Sequence, residues 1–301
     1  MNKPTLVLMV GICASGKSTQ AKALSEQYNA KILSSDDLRV ELYGDINDQD
    51  HNEQVFKELN KRVRDRLTFN ENVIIDATNI NLKSRRKLLE NVSKIDCYKI
   101  AYIMAKPIEQ CLEDNIYRDN PVPHHVINKM YMNFQVPFYE EGFDEIIIHN
   151  FDNIRKSFDD TFDEMAGFNQ NTPYHKYDLH FHCIESVRGG YTNEDKYCYG
   201  ASLHDYGKLF TQKFDEEGVA HYYQHAEVGT YKIMTEVELD LNNKDLLDVL
   251  FLINYHMLPF NWKTEKDKKK WLKIFGEEKY NMLISFNKAD KKASGIEKET
   301  I

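Results

Sequence analysis

The chain has few cysteines. Cys13, Cys97, Cys111, Cys183 and Cys198 are scattered, odd in number and contain no Cys-x-x-Cys. That argues against a disulfide framework or a zinc ribbon and fits a reducing cytoplasm. Basic excess is also missing: 19 basic residues face 22 acidic ones up to residue 150, and 20 face 26 beyond it, for a net charge of −9. A nucleic-acid partner would have to be gripped by a local patch, because phosphate contacts need Lys or Arg. The apolar run after Pro4 is too short for a signal peptide. No run approaches the roughly 20 residues of a transmembrane helix, so no membrane partner is expected. Internal repeats and low-complexity tracts are absent as well. Hydrophobic residues make up 42% of the 301, enough for a core in each of two ordinary domains.

The pattern changes once along the chain. Residues 5–10 form a continuous apolar run, as a parallel strand buried on both faces requires. Residues 19–28 have helical spacing. Residues 31–33, 73–75, 98–104 and 145–149 predict further strands, and Val55, Leu59, Val63 and Leu67 recur every four residues on a helix over 50–70. Alternating strands and helices predict an α/β doubly wound parallel sheet. After a polar stretch only helical runs follow, at 179–187, 201–208, 225–236, 244–255 and 279–292. The expected organisation is an α/β domain over 1–155, a linker over 156–171 and an all-α domain over 172–301.

Gly11-Ile12-Cys13-Ala14-Ser15-Gly16-Lys17-Ser18 has the Gly-x4-Gly-Lys-Ser spacing of a P-loop, between a strand and a helix as the motif demands. Glycines let backbone N–H groups turn around phosphate oxygens, and the following helix presents its positive end. The pattern predicts ATP held by Gly11, Ser15, Gly16, Lys17, Ser18 and Thr19, with Lys17 at the outer phosphates and Ser18 on Mg²⁺. Ser34-Ser35-Asp36-Asp37-Leu38-Arg39 follows the second strand. Asp36 and Arg39, one helical turn apart, can both face a phosphoryl acceptor there; an ordinary helix N-cap explains the same residues. Together with Asp76-Ala77-Thr78-Asn79, these segments resemble the kinase domain of phage-type polynucleotide 5′-kinases and their bacterial relatives in RNA repair, over roughly residues 5–150. Residues 115–123 resemble that family's lid. The resemblance implies Asp36 as general base for a 5′-hydroxyl, Arg39 on the acceptor's 3′-side phosphate and Arg118 as a clamp on the ATP phosphates. Asn115 stands where the family has a further basic residue. Two basic clusters, Lys57, Lys61, Arg62, Arg64 and Arg66, and Lys83, Arg85, Arg86 and Lys87, fit either phosphate contacts or solvated helix faces.

In the second half, imidazoles and carboxylates recur on successive helical runs: His182, His204-Asp205, His225, His256 and Asp290. One such residue per helix is how a bundle builds an internal metal site, although a lone helical His is ordinarily structural. Tyr174-His175-Lys176-Tyr177-Asp178-Leu179-His180-Phe181-His182, Leu203-His204-Asp205-Tyr206-Gly207-Lys208, Tyr223-Gln224-His225-Ala226-Glu227, Asn254-Tyr255-His256-Met257 and Lys288-Ala289-Asp290 together resemble an HD-superfamily phosphohydrolase, nearest the HD domain of bacterial CCA-adding tRNA nucleotidyltransferases, over about 172–295. The resemblance implies a divalent transition metal (Mn, Ni, Co, Fe or Zn) on His182, His204, Asp205 and Asp290. It implies a second metal or the phosphate at His225 and His256, and Lys208 at the scissile phosphate. His180 carries no metal role. The lysine-rich run 263–273, with Trp262 and Trp271, fits either a strand-binding surface or a solvated helix with an aromatic anchor.

A 5′-hydroxyl kinase joined to a phosphohydrolase implies repair of broken ends: the first half phosphorylates the 5′ end and the second removes a 3′, 2′ or 2′,3′-cyclic phosphate, on RNA in preference to DNA. Two alternatives stand beside this reading. One is a small-molecule or nucleoside kinase fused to a nucleotide hydrolase. The other is a non-catalytic nucleotide sensor. A homo-oligomer is compatible with all three.

Overall fold

The computed structural model describes residues 3–151, 153–190 and 194–295. The chain divides into two compact units. One comprises the residues up to Met130 and Pro137–Phe151; the other comprises Tyr131–Val136 and the chain after Phe151.

The first unit alternates strands and helices: β1 (Thr5–Val10), α1 (Lys17–Tyr28), β2 (Ala30–Ser34), α2 (Ser35–Tyr43), α3 (Asn52–Thr68), β3 (Asn72–Asp76), α4 (Leu82–Asn91), β4 (Tyr98–Ala105), α5 (Ile108–Ile116), α6 (His124–Tyr131) and β5 (Glu145–Asn150). All five strands are parallel, in the order β2-β3-β1-β4-β5. Central β1 buries Leu6 through Val10; each such side chain contributes about 1.5–3 kcal/mol. The chain leaves β1 toward one sheet edge and returns to β4 on its other side, so the carboxyl end of β1 is the switch point where open α/β sheets bind ligands. Register sets Ser34 beside Asp76, bringing the turns after β2 and β3 together at that end.

Helix ends follow local chemistry. Ser34 caps α2 by accepting from the Asp36 and Asp37 amides, and Asn81 caps α4 by accepting from Lys83 and Ser84. The spaced residues Val55, Leu59, Val63 and Leu67 form the buried stripe of α3.

In the second unit, residues 156–171, expected to link two domains, carry α7 (Phe158–Asp163) and bury Thr161, Met165 and Gln170. Then come α8 (Leu179–Gly189), α9 (Asp195–Leu203), α10 (Lys208–Thr211), β6 (Gln212–Phe214), β7 (Ala220–Tyr222), α11 (His225–Glu236), α12 (Asn243–Tyr255) and α13 (Glu265–Ala293). Two differences from the sequence reading matter. The β6–β7 antiparallel hairpin makes this unit α with a small sheet rather than all-α. It is too short to leave an alternating pattern. The single helix expected over 201–208 is broken: α9 ends at Leu203, and α10 begins at Lys208. His204 and Asp205 sit in the turn between them. α13 also breaks sharply at Gly276, whose φ of 72° suits glycine. Residues 131–136 dock on α12: the Val136 amide donates to Asn254 Oδ1 at 2.9 Å, and the Tyr255 hydroxyl donates to the Val136 carbonyl.

Candidate functional site

The first constellation gathers at the carboxyl end of β1. Ala14 and Gly16 take positive φ (62° and 85°), which wraps the loop ahead of α1. A Cβ on Gly11 would meet Ser15 Oγ at 2.7 Å and Met104 Cβ at 3.2 Å, so a larger residue there would displace the Ser15 hydroxyl. Ser15 is fully buried, and its hydroxyl has no hydrogen-bond partner among the described residues. Such an orphaned polar atom suits a loop built to meet phosphate oxygens. Ser18 and Thr19 open α1. The buried Lys17 ammonium donates to the Ile12 carbonyl at 2.7 Å. Burial is the main reason its pKa falls; Cys13 and Asp76 oppose the shift, and Arg118 adds to it.

Arg118 is therefore close enough to act electrostatically on the P-loop lysine. Its loop is closed at the base by Asn115, which is 1% exposed. The Asn115 side chain donates to the Val122 carbonyl at 2.8 Å and accepts from the Val122 amide at 2.9 Å. The residue that departs from the lid pattern thus clips the lid together.

Arg39, almost buried, donates to Asp36 Oδ1 at 2.6 Å and to Asn52 Oδ1 at 2.7 Å; Asp36 is half-exposed at the start of α2. The pair is oriented rather than freely solvated. The turn after β3 is pinned as well. Buried Arg85 makes two bonds to Glu141, at 2.9 and 2.7 Å, and donates to the Asn79 carbonyl at 3.0 Å. Asn79 in turn donates to the Met9 carbonyl, and the Gly11 amide donates to the Thr78 carbonyl. Arg85 is thus structural rather than a phosphate ligand. Arg62 pairs with Glu41 and Glu58, Arg66 with Glu71 and Arg86 with Glu90, so both basic clusters spend much of their charge locally. Asp76 received no role from the sequence. Its place at the end of an apolar strand next to the P-loop was the available signal.

The second constellation lies wholly in the second unit. His182 (α8), His204 and Asp205 (the α9–α10 turn), His225 (first residue of α11), His256 (just after α12) and Asp290 (α13) converge and are all buried. Asp205 divides its oxygens. Oδ2 lies 3.3 Å from His182 Nε2 and 3.2 Å from His204 Nε2, while Oδ1 lies 3.2 Å from His225 Nε2 and 3.7 Å from His256 Nε2. Asp290 Oδ1 is 3.2 Å from His182 Nε2. The Lys208 ammonium bonds Asp205 Oδ2 at 2.6 Å. Gly207 permits this: a Cβ there would sit 1.9 Å from the His225 carbonyl, so α10 and α11 could not approach.

Three of these imidazoles are set the same way. The Nδ1 atoms of His204, His225 and His256 each lie 2.8 Å from the carbonyl three residues earlier, of Ala201, Tyr222 and Ile253. A carbonyl only accepts, so each Nδ1 carries a proton and each ring turns its Nε2 inward. His225 and His256 Nε2 are 3.2 Å apart, and His182 and His204 Nε2 3.3 Å. Ring nitrogens this close in a buried site require a proton or a cation between them. His182, His204 and Asp290 form one group whose ligand atoms lie within 4.8 Å of one another, and His204, Asp205 and His256 form another. Three rings and a bridging carboxylate fit divalent transition metals.

Without a cation the electrostatics point the same way. Burial opposes charge on His182 and His204, yet the neighbouring carboxylates hold both pKa values up. Burial likewise pushes the carboxyls of Asp205 and Asp290 up, but the histidines, with Lys208 at Asp205, hold both down. For His256 burial wins and the pKa falls.

The sequence left His175 without a role. Its Nε2 lies 3.4 Å from Lys208 Nζ, and it forms a third ligand group with His182 and Asp205. Burial, with help from Lys208, pushes its pKa down to about 3. Its ring position, seven residues before His182 and across a turn, carries no periodic signal. His180 instead rests on Phe162, at a ring distance of 4.4 Å.

Comparison with known proteins bears on the first unit. The AAA domain family model matches residues 6–137. The L-seryl-tRNA(Sec) kinase of Methanococcus maripaludis is 25% identical over 171 residues, 55% of this chain and 66% of that protein. A chain of the Pnkp1/Rnl/Hen1 RNA repair complex is 26% identical, with a TM-score of 0.39, over 43% of each chain. A fungal RNA kinase is 13% identical, with a TM-score of 0.39, over 51% of this chain and 40% of that one. The chain thus spans less than two thirds of each of these relatives. With the five-stranded parallel sheet and the P-loop, the family match supports an α/β P-loop kinase domain in the first unit. Among the described residues no helix is long and apolar enough to cross a membrane.

Proposed function

We propose that this chain heals broken nucleic-acid ends, RNA in preference to DNA, by phosphorylating a 5′-hydroxyl and removing a 3′, 2′ or 2′,3′-cyclic phosphate. The observation that carries the reading is the pairing of two sites in one chain: a P-loop flanked by an oriented Asp36–Arg39 pair, and a buried cluster bridged by Asp205. The name of the archaeal relative joins a kinase to an RNA substrate.

In the kinase step ATP lies in the P-loop, its phosphates held by the loop amides and Lys17; Ser18 would hold Mg²⁺, which would offset phosphate charge, and Asp76 acts on Lys17 nearby. Asp36 accepts the proton of the acceptor hydroxyl. That oxygen bonds to the γ-phosphorus as the bond to the ADP oxygen breaks. Arg39, held by Asn52, grips the acceptor's phosphate, and Arg118 neutralises charge on the transferring group. Gly11, Ser15, Gly16 and Thr19 shape the cradle.

In the second unit His182, His204, Asp205 and Asp290 would hold one metal, and His225 and His256 a second or the phosphate. A metal there supplies an acidified water and polarises the phosphate. Lys208 places a fixed cation at the same carboxylate, and His175, neutral above about pH 3, orients it.

The net charge of −9 favours one competing reading, a small-molecule kinase joined to a nucleotide hydrolase. The test supplies ATP and each of several divalent metals with a 5′-OH oligonucleotide, a 3′-phosphate oligonucleotide and a 2′,3′-cyclic one. End healing expects γ-phosphate on the 5′ end and phosphate release or ring opening at the 3′ end. Transfer to free nucleosides but not to oligonucleotides overturns it. Asp36→Ala and Lys17→Ala are expected to abolish kinase activity alone, and Asp205→Ala phosphate release alone. Loss of both activities from either change contradicts two separate sites.

A further inference from the structure

The lysines of 263–273 differ from the basic clusters of the first unit, whose arginines pair with neighbouring acids. This run holds six lysines and two acids. Glu265 is engaged by Lys268 at 2.8 Å, and Asp267 by the Thr264 cap. Lys263, Lys266, Lys269, Lys270 and Lys273 are exposed, and no acid pairs with them among the described residues. Lys266, Lys270 and Lys273 fall at i, i+4 and i+7 of α13. They therefore form one row, rising about 6 and then 4.5 Å per step. Such a row of lysines without salt-bridge partners among the described residues is notable in a chain of net charge −9.

The row is also fixed in place. Trp262 is buried and stacked on Tyr280 at 4.9 Å and on Trp271 at 6.2 Å, and Lys270 lies over the Trp271 ring. The aromatic block anchors the lysines to the unit. In sequence the row begins close to the buried cluster. His256 precedes Lys263 by seven residues, and between them Met257 and Phe260 are 40% and 39% exposed. Lys291, next to Asp290, lies over the Phe260 ring at 4.8 Å. An exposed ring beside lysines is the equipment of a single-strand track, since every base offers a face for stacking and every linkage a charge.

We propose that Lys263, Lys266, Lys270 and Lys273, with Phe260 and Lys291, form the track along which a single RNA strand lies as its 3′ end reaches the Asp205 cluster. This rests on the end-healing reading for its choice of occupant. Charge complementarity selects a polyanion, and the exposed ring at the cluster end selects an unpaired strand over a duplex.

The test measures affinity for a single-stranded RNA ten nucleotides long with a 3′-phosphate, against KCl concentration, in the full chain. In Lys266→Gln/Lys270→Gln/Lys273→Gln the slope of log K on log[KCl] is expected to fall by about 2, at roughly 0.7 per lost phosphate contact. Phe260→Ala is expected to weaken binding about tenfold with the slope unchanged. Phosphate release from a mononucleoside 3′-phosphate is expected to stay at the wild-type rate in both, which also shows that both variants fold. An unchanged slope in the triple variant overturns the track. Its failure is distinguishable from that of the parent reading: wild-type chain that binds RNA with the lysine-dependent slope but releases no phosphate leaves the track standing and removes the hydrolase.

Discussion

Asn115 shows how one side chain can set a loop. It sits where a cation is expected, but it is buried and satisfies both backbone groups of Val122. Asn115→Ala would strand a half-buried N–H and C=O of Val122, at about 1 kcal/mol or somewhat more. The expected result is a lower Tm of the first unit and a raised KM for ATP, because Arg118 loses its mounting; steady-state kinetics and thermal unfolding check both. A kinase indifferent to the change would disconnect the loop from nucleotide binding. At the same scale the histidines are legible only in part. Residue type marked His182, His204, His225 and His256, but only the carbonyl partners reveal which ring nitrogen faces inward.

Between elements, two ion-paired groups carry the packing. Arg85 and Glu141 connect α4 to the turn over Tyr139–Glu141 and, through Asn79, to the P-loop. Burial pushes the Glu141 carboxyl up, against the pull of Arg85. Glu141→Ala leaves Arg85 buried without its counter-charge and should cost about 3–5 kcal/mol in urea unfolding. In the second unit Asp248 on α12 bonds Lys196 on α9 at 3.0 Å and Lys279 on α13. Burial raises its pKa, yet the two ammonium groups outweigh burial and hold it below 3.8. A depressed folded pKa means that the unfolded chain binds the proton more readily. The stabilisation is therefore complete above about pH 4 and is lost as pH falls through the folded value. Asp248→Asn is expected to lower stability at pH 7 and to flatten the acid limb of the unfolding curve; an acid limb identical to wild type would refute the assignment. The element pattern of the α/β half was legible because buried parallel strands read as apolar runs. The β6–β7 hairpin and the break between α9 and α10 were not, since three-residue strands and a glycine-dependent close approach leave no period.

At the scale of the molecule, each compact unit should respond to its own ligand. A metal that binds only the folded second unit stabilises it by RT ln(1 + [L]/Kd), about 2.7 kcal/mol at a hundredfold excess over Kd. Mn²⁺ or Ni²⁺ is expected to raise the Tm of one calorimetric transition, and Asp205→Ala to erase that rise while an ATP-dependent shift persists. A metal-induced rise that survives Asp205→Ala places the ion elsewhere. The division of the chain was legible only roughly, because a change of pattern marks where a domain ends but not which short segments cross over. Residues 131–136 join the second unit through hydrogen bonds to Asn254 and Tyr255, some 120 residues away in sequence.

The sequence by itself determined the P-loop and the parallel sheet around it. A phosphate cradle is contiguous backbone, and a buried strand must be apolar along its whole length. It also supplied the right residue types for the second cluster. Only the tertiary structure decided that one carboxylate, Asp205, stands between two pairs of imidazoles, that His175 joins them, and that Arg85 is a buried strut. Those facts depend on side chains brought together from helices far apart in the chain, and that convergence is set by packing.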